Sequence, residues 1–155
     1  MGLIGLTILV FRCILWAVYG TDRGVGGALD DTLDLNDFAY GEIVKDHFQN
    51  PRNAGTLPDA DLIGEAGNPE CGDRMRLYLK LDGDRVAHAR FQTFGCSVAI
   101  AASSVLTELV VGRTLDDLAL LKDDEVASAL GGLPEAKVGC SVLAEKALKS
   151  ALSKT

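Results

Sequence analysis

The sequence predicts an α+β chain, a strand hairpin with helices around it, and three patterns carry that reading. Met75, Leu77, Leu79 and Leu81 alternate with Arg74, Arg76, Tyr78 and Lys80, the period-two signature of a half-buried strand. Asp82-Gly83 follows at once, and alternation resumes with Ala87, Ala89 and Phe91. Asp-Gly tolerates the positive φ of a type I′ turn, so the two runs fold back on each other as an antiparallel pair. Beyond them the apolar residues fall into helical spacing instead.

The elements follow in chain order. A first helix is expected over Phe38 to Gln49; it stops at Asn50-Pro51-Arg52-Asn53, because proline cannot continue a helix. The hairpin comes next. A helix from about Ser97 to Val111 shows Val98, Ala102, Val105 and Leu109 as its apolar stripe, with Gly112 as its stop. Thr114-Leu115-Asp116-Asp117 resembles a capping box, and Asp123 reads as the cap of another short helix before Gly131-Gly132. The last helix carries Ala144, Ala147, Leu148, Ala151 and Leu152 on one face.

Three of the four cysteines are placed by these elements. Cys71 lies twelve residues before Gly83 and Cys96 thirteen after it, so antiparallel pairing returns both to one end of the hairpin. Directly opposed positions there have Cβ atoms about 5 Å apart. Asp73 shares the strand face of Cys71 and adds a carboxylate. Cys96 and Cys140 each precede a helix, where unpaired N–H groups and the helix dipole favour the thiolate, the form that attacks sulfur and binds metal. Two readings stay open on spacing alone: metal or sulfur chemistry at exposed element ends, or small buried structural cysteines. A disulfide framework fits less well, because the chain is long enough to bury a core and has no closely spaced cysteines.

From Asp37 to Leu152 the chain resembles the iron-sulfur cluster scaffold proteins of the IscU type, which also form the N-terminal domain of NifU. The likeness runs through Tyr40, Asp46-His47-Phe48, Asn50-Pro51-Arg52-Asn53, Gly67-Asn68-Pro69, Cys71-Gly72-Asp73, Thr93-Phe94-Gly95-Cys96, Ala99-Ile100-Ala101, Ser103-Ser104, Leu133-Pro134, Lys137 and Cys140-Ser141. It implies a compact α+β domain, with a small antiparallel three-stranded sheet packed against several helices. It also implies an exposed site on which a transient [2Fe-2S] cluster is built from persulfide sulfur delivered by a cysteine desulfurase. Iron and electron donors supply the rest, and apo iron-sulfur proteins receive the product. The protein would be a platform rather than a turnover enzyme. Carried over by position, Cys71, Cys96 and Cys140 become ligands, Cys140 also becomes the persulfide acceptor, and Asp73 becomes a ligand or a tuner of lability.

Two positions depart from that pattern. The family commonly has His before the last cysteine, and this chain has Gly139. His47, in the first helix, and His88, on the outer strand face, are expected to be packed or solvated rather than ligating. The fourth position would then fall to Asp73, water or a partner's residue. The stretch Leu133-Pro134-Glu135-Ala136-Lys137 puts Glu-Ala where the family has an apolar pair, which removes a hydrophobic grip for an Hsp70/Hsp40-type chaperone. A related branch of the SufU type binds zinc with the same three cysteines and aspartate and accepts sulfur as a sulfurtransferase. That branch carries a long insertion between its second and third cysteines, and the separation of forty-four here leaves no room for one. Lys137, three residues before Cys140, would lower that thiol's pKa, pair with Asp73 or stay solvated.

Residues 1–37 lie outside the resemblance and 38–155 form the expected scaffold domain. From Met1 to Tyr19 fifteen of nineteen residues are apolar, interrupted by Arg12. A central arginine costs roughly 2.5 to 3.5 kcal/mol on insertion scales. Neither a secretory signal nor a transit peptide fits this composition. Three readings are open: a translated upstream stretch with the true start at Val25, Leu29, Leu33 or Leu35, a membrane anchor, or a partner-binding or buried helix. Thr21 to Asp37 is Gly- and Asp-rich and reads as a linker, and Cys13 belongs to the apolar segment rather than the site.

The net charge is -7, of which residues 1–37 supply -3 through five Asp against Arg12 and Arg23, leaving -4 for the domain. Nucleic-acid binding has no basic stripe to support it. A P-loop, a dinucleotide fingerprint and a nucleophile-elbow serine are also missing from the sequence. Thiol chemistry requires a reducing compartment, so the expected location is cytoplasmic.

Overall fold

The hairpin around Asp82-Gly83 forms two strands of a three-stranded antiparallel sheet. A computed structural model describes residues 41–155, which fall within the compact unit Tyr40–Thr155. The readings made for residues 1–40, including the apolar segment, the linker, Cys13 and the first residues of the expected first helix, lie outside the described residues.

The elements are α1 (Glu42–Gln49), β1 (Leu62–Asn68), β2 (Asp73–Asp82), β3 (Arg85–Phe94), α2 (Ser97–Val110), α3 (Leu115–Leu120), α4 (Asp123–Ala129), a 3₁₀ turn (Glu135–Lys137) and α5 (Val138–Leu152). The strand order is β1-β2-β3, with β2 in the centre. Helix α5 packs on β1 and β2, and α2 packs on β3. Met75, Leu77, Leu79, Ala89 and Phe91 supply the sheet's buried residues, facing Val98, Ala102, Leu106, Ala144 and Leu148 in one core. Each fully buried Leu or Phe contributes roughly 1.5–3 kcal/mol relative to exposure.

Gly64 sets how closely α5 approaches the sheet. A Cβ there would stand 2.0 Å from the Ala147 carbonyl oxygen and 2.5 Å from the Ala151 nitrogen. Only a residue without a side chain lets strand and helix backbones meet at this distance. That strand has little period-two signal, because Gly64 and Gly67 interrupt it, and only the resemblance implied a third strand.

Three local expectations are corrected. The hairpin loop is Gly83-Asp84, closed by the Asp82 and Arg85 pair, and Gly83 alone has positive φ. Those signs belong to a type II′ turn, which needs glycine at its first central position, rather than to type I′. Further along, Lys80 faces His88 while Leu81 faces Val86, so Ala87 is an extra residue in a β-bulge. The bulge resets the phase: Val86 joins Ala89 and Phe91 in the core, and Ala87 is only half-buried. Tyr78, on the outward parity, is also buried, with its hydroxyl donating to Gln92 Oε1 at 2.7 Å.

Helix α2 is not the one-striped helix expected. Ala99, Ala101, Ser103, Ser104 and Thr107 are buried along with Val98, Ala102 and Val105, because α1 covers one side and the sheet and α5 cover others. Thr114 does cap α3, its Oγ1 accepting from the Asp117 amide at 3.1 Å. Asp123 is instead the first residue of α4, after an N-cap at Lys122. Among the described residues no helix is long and apolar enough to cross a membrane.

Candidate sulfur and metal site

Three separate elements converge at one end of the sheet. Asp73 opens β2, Cys96 is the N-cap of α2, and Cys140 sits in the first turn of α5 rather than just before it. The β2–β3 register pairs Arg74 with Phe94, which sets Asp73 beside Gly95 and Cys96. Gly95 is bare for a reason: a Cβ there would fall 2.8 Å from both Cγ and Oδ1 of Asp73. The carboxyl occupies the space of the missing side chain.

One ligand atom each from Asp73, Cys96 and Cys140 lies within 4.8 Å of the others. The sulfurs of Cys96 and Cys140 stand 3.7 Å apart, within S–H···S range, and both are free thiols. Two thiols and a carboxylate in this compass suit a soft or borderline metal such as zinc, or iron bound with sulfide. Asp73 and Cys140 are each only 5% exposed and Cys96 is half-buried, so the expectation of exposed element ends is corrected for this group. Burial follows from α5 laying its first turn over the strand end.

The hydrogen bond to Cys140 brings the Cys96 pKa down to about 6, with help from the Ala99 backbone amide and the Lys137 ammonium. The same hydrogen bond, with burial and the Asp73 charge, pushes Cys140 up. Of the readings open for Lys137, its charge favours the thiolate at both cysteines.

Cys71 is the member of the expected set that the structure leaves out. It is exposed on the loop joining β1 to β2, and its sulfur does not belong to the 4.8 Å group. Asn68 Nδ2 lies 3.6 Å from it. Gly72 next to it has a φ of +71° and open space around it.

Neither histidine approaches the group. His47 is buried between helices, its Nδ1 2.9 Å from Ser104 Oγ, and burial lowers its pKa. His88 is exposed on β3. Among the described residues Gly139 has the Asn68 amide, 3.5 Å away, as the one atom near the place a side chain would start.

Residue-level reading missed several supports. Ser103 Oγ takes part in a 2.6 Å bond with Thr93 Oγ1 and donates to the Ala99 carbonyl at 2.8 Å, tying β3 to the first turn of α2. Ser104 Oγ accepts from the Arg52 amide at 2.8 Å, so it joins α1, the Arg52 turn and α2. Two adjacent serines inside an apolar helix were the available signal. Gly95 beside a cysteine was another.

Comparison with known proteins places the chain among one set of relatives. The NifU-like N terminal domain matches residues 39–155. The iron-sulfur cluster assembly scaffold protein IscU 1 of Archaeoglobus fulgidus is 50% identical over 113 residues, 73% of this chain and 74% of that protein. The scaffold protein IscU of Haemophilus influenzae is 44% identical over 119 residues, 74% of this chain and 94% of that one. Among solved structures, a candidate scaffold for the SUF system from Fervidobacterium islandicum AW-1 superposes with a TM-score of 0.59, covering 73% of this chain and 96% of that one at 24% identity, a likeness of fold.

Proposed function

The chain belongs to the NifU-like N-terminal domain family, and from that premise we propose that it is a scaffold for iron-sulfur cluster assembly. The observation that carries the proposal is the convergence of Asp73, Cys96 and Cys140 within 4.8 Å, with a fourth donor, Cys71, on the adjoining loop. A [2Fe-2S] cluster takes four terminal ligands, and three thiolates with one carboxylate supply four. The glycine at 139 therefore leaves no ligand short. The cluster is cargo: a partly open donor set that mixes carboxylate with thiolates releases it more readily than a buried all-cysteine shell.

In this reading a cysteine desulfurase brings persulfide sulfur. A thiolate of the scaffold attacks the outer sulfur of the persulfide, the new S–S bond forms on the scaffold, and the desulfurase cysteine leaves as thiolate. Cys96 is the thiol shifted toward thiolate and attacks first; Cys140 then attacks the outer sulfur of the Cys96 persulfide, the Cys96–S bond breaks, and the Cys140 proton passes to the departing Cys96 sulfur, which leaves the persulfide on Cys140. Iron donors then supply ferrous iron, an electron donor reduces the sulfur to sulfide, and apo iron-sulfur proteins take the finished cluster. In this reading the protein accepts and carries rather than turning over a substrate, and the need of its thiols for a reducing compartment supports a cytoplasmic location. Leu133-Pro134-Glu135-Ala136-Lys137 is an exposed or half-exposed stretch, open to a chaperone of the Hsp70/Hsp40 type but without the apolar pair such a partner would grip.

Incubating the chain with a desulfurase and cysteine, then locating the added 32 Da of sulfur by peptide mass spectrometry, tests this sequence of steps. Sulfur on Cys140 in the native chain and on Cys96 in Cys140→Ala supports it. Sulfur on neither refutes it. The same three close donors also fit one tetrahedral zinc ion, with Cys71 as the fourth ligand. A zinc-dependent sulfur acceptor is thus the second reading, marked by zinc bound tightly and no cluster formed.

A further inference from the structure

We infer that Asn68 is a positioning residue that holds Cys71 outside the inner donor group and releases it when metal or cluster is bound; the inference rests on the assignment of these residues as ligands.

The loop is built for two positions. Asn68 and Asp73 face each other as the closing pair of the β1–β2 hairpin, so the loop is Pro69-Glu70-Cys71-Gly72. Asn68 grips it three times: its backbone carbonyl accepts from the Gly72 amide at 2.8 Å, its Oδ1 accepts from the Glu70 amide at 3.1 Å, and its Nδ2 donates to Cys71 Sγ at 3.6 Å. The last contact is the weak one, an N–H···S bond at the surface. It is also the only one of the three that fixes the thiol rather than the turn.

Asp73 at the far side of the same pair already sits with Cys96 and Cys140. Cys71 is two residues away, and Gly72 between them has a left-handed φ and nothing within 4 Å of a Cβ. Among the described residues nothing crowds Gly72 itself, and a backbone rotation there trades the Gly72 N–H bond to the Asn68 carbonyl for movement of the Cys71 thiol. The displaced carboxamide also has somewhere to go: a cavity of about 330 Å³ opens beside it, with Glu70 and Lys146 among its lining residues beside Gly67, Gly139, Val142 and Leu143. Gly139 lines that cavity, and a Cβ there would stand 3.5 Å from Asn68 Nδ2, at ordinary van der Waals distance.

A latch on the open position opposes metal binding, because its hydrogen bond must break before Cys71 joins. The net worth of one such bond predicts a three- to tenfold effect at most. The test uses the full metal-free chain titrated with Co²⁺ against a competing chelator, with thiolate-to-cobalt absorption as the readout. Asn68→Ala should tighten Co²⁺ binding by about threefold or more. Asn68→Ser, whose hydroxyl still reaches the Glu70 amide but not Cys71, should do the same with the turn preserved. In a Cys71→Ser background both changes should fall below about twofold, which a purely structural role for Asn68 would not produce. Unchanged or weaker binding in Asn68→Ser, or an effect that persists without Cys71, would overturn the latch alone. Absence of thiolate-to-cobalt absorption in the native chain would overturn the ligand assignment and the latch together.

Discussion

Cys96 and Cys140, forty-four residues apart in the chain, hold their sulfurs 3.7 Å from each other, and the contact shifts their pKa values in opposite directions. The pair is the fixed half of the site. In metal-free protein Cys96 should react with iodoacetamide along a pH curve with its midpoint near 6, far below an ordinary cysteine. Rates read by peptide mass spectrometry check this, and a midpoint at 8.5 or above would contradict it.

The same pair gives the metal-free fold a pH signature. Cys96 has a folded pKa of about 6, below its unfolded value near 8.5, so its stabilisation is complete above about pH 8.5 and is lost as pH falls through 6. Cys140 is shifted upward, so its contribution has the opposite slope and is lost at alkaline pH. Urea midpoints should therefore rise from pH 6 to 8.5 and fall beyond it, and Cys96→Ala should flatten both limbs.

Gly95→Ala is expected to damage the site more than the fold. The added Cβ meets the Asp73 carboxyl at 2.8 Å, and Asp73 must leave its place among the donors. Cluster yield after reconstitution should drop several-fold while the circular dichroism spectrum stays native. An unchanged yield would mean that Asp73 is not a ligand.

Gly64→Ala should do the reverse. Its Cβ would meet backbone atoms of α5 at 2.0 and 2.5 Å, which no rotamer relieves. The cost of such overpacking is about 3 kcal/mol or more, a large part of a small domain's stability. A urea melt checks it, and a loss under about 1 kcal/mol would show that α5 can lift from the sheet.

His47 gives a further acid-side effect. Burial lowers its pKa, so the neutral ring is favoured, and its contribution is full above about pH 6.5 and lost as pH falls through the folded pKa. Thermal midpoints should decline between pH 7 and 5. Ser104→Ala should cost about 1–3 kcal/mol, since it leaves the Arg52 amide and the His47 ring short of a partner.

Sequence pattern reached the parts of this protein that are periodic. The β2 alternation, the turn at Gly83, the stop at Gly112 and the cap at Thr114 all rest on local chemistry and were legible. What was not legible depends on contacts between distant segments. The bulge at Ala87 leaves no local mark, because pairing across β2 decides it. The all-round burial of α2 was hidden by residues as small as Ala and Ser, which read as neutral until α1 and α5 close on them. At the site, the spacing around the hairpin paired Cys71 with Cys96 and set Asp73 beside them; Asp73 and Cys96 do lie together, while the Cys71 sulfur stands outside their 4.8 Å group. The Asn68 contact, which holds that thiol on its loop, is a side-chain interaction that no spacing rule encodes. The third strand, with two glycines, was carried by family resemblance alone.

The most direct test of the account is anaerobic reconstitution of the chain with ferrous iron, cysteine and a cysteine desulfurase, counting iron and acid-labile sulfide. The account predicts visible cluster absorption, iron and sulfide in equal amounts, and transfer to an apo-ferredoxin, all abolished by Cys96→Ala or Cys140→Ala. Tightly held zinc with no cluster, or a cluster yield unchanged in both variants, would contradict it.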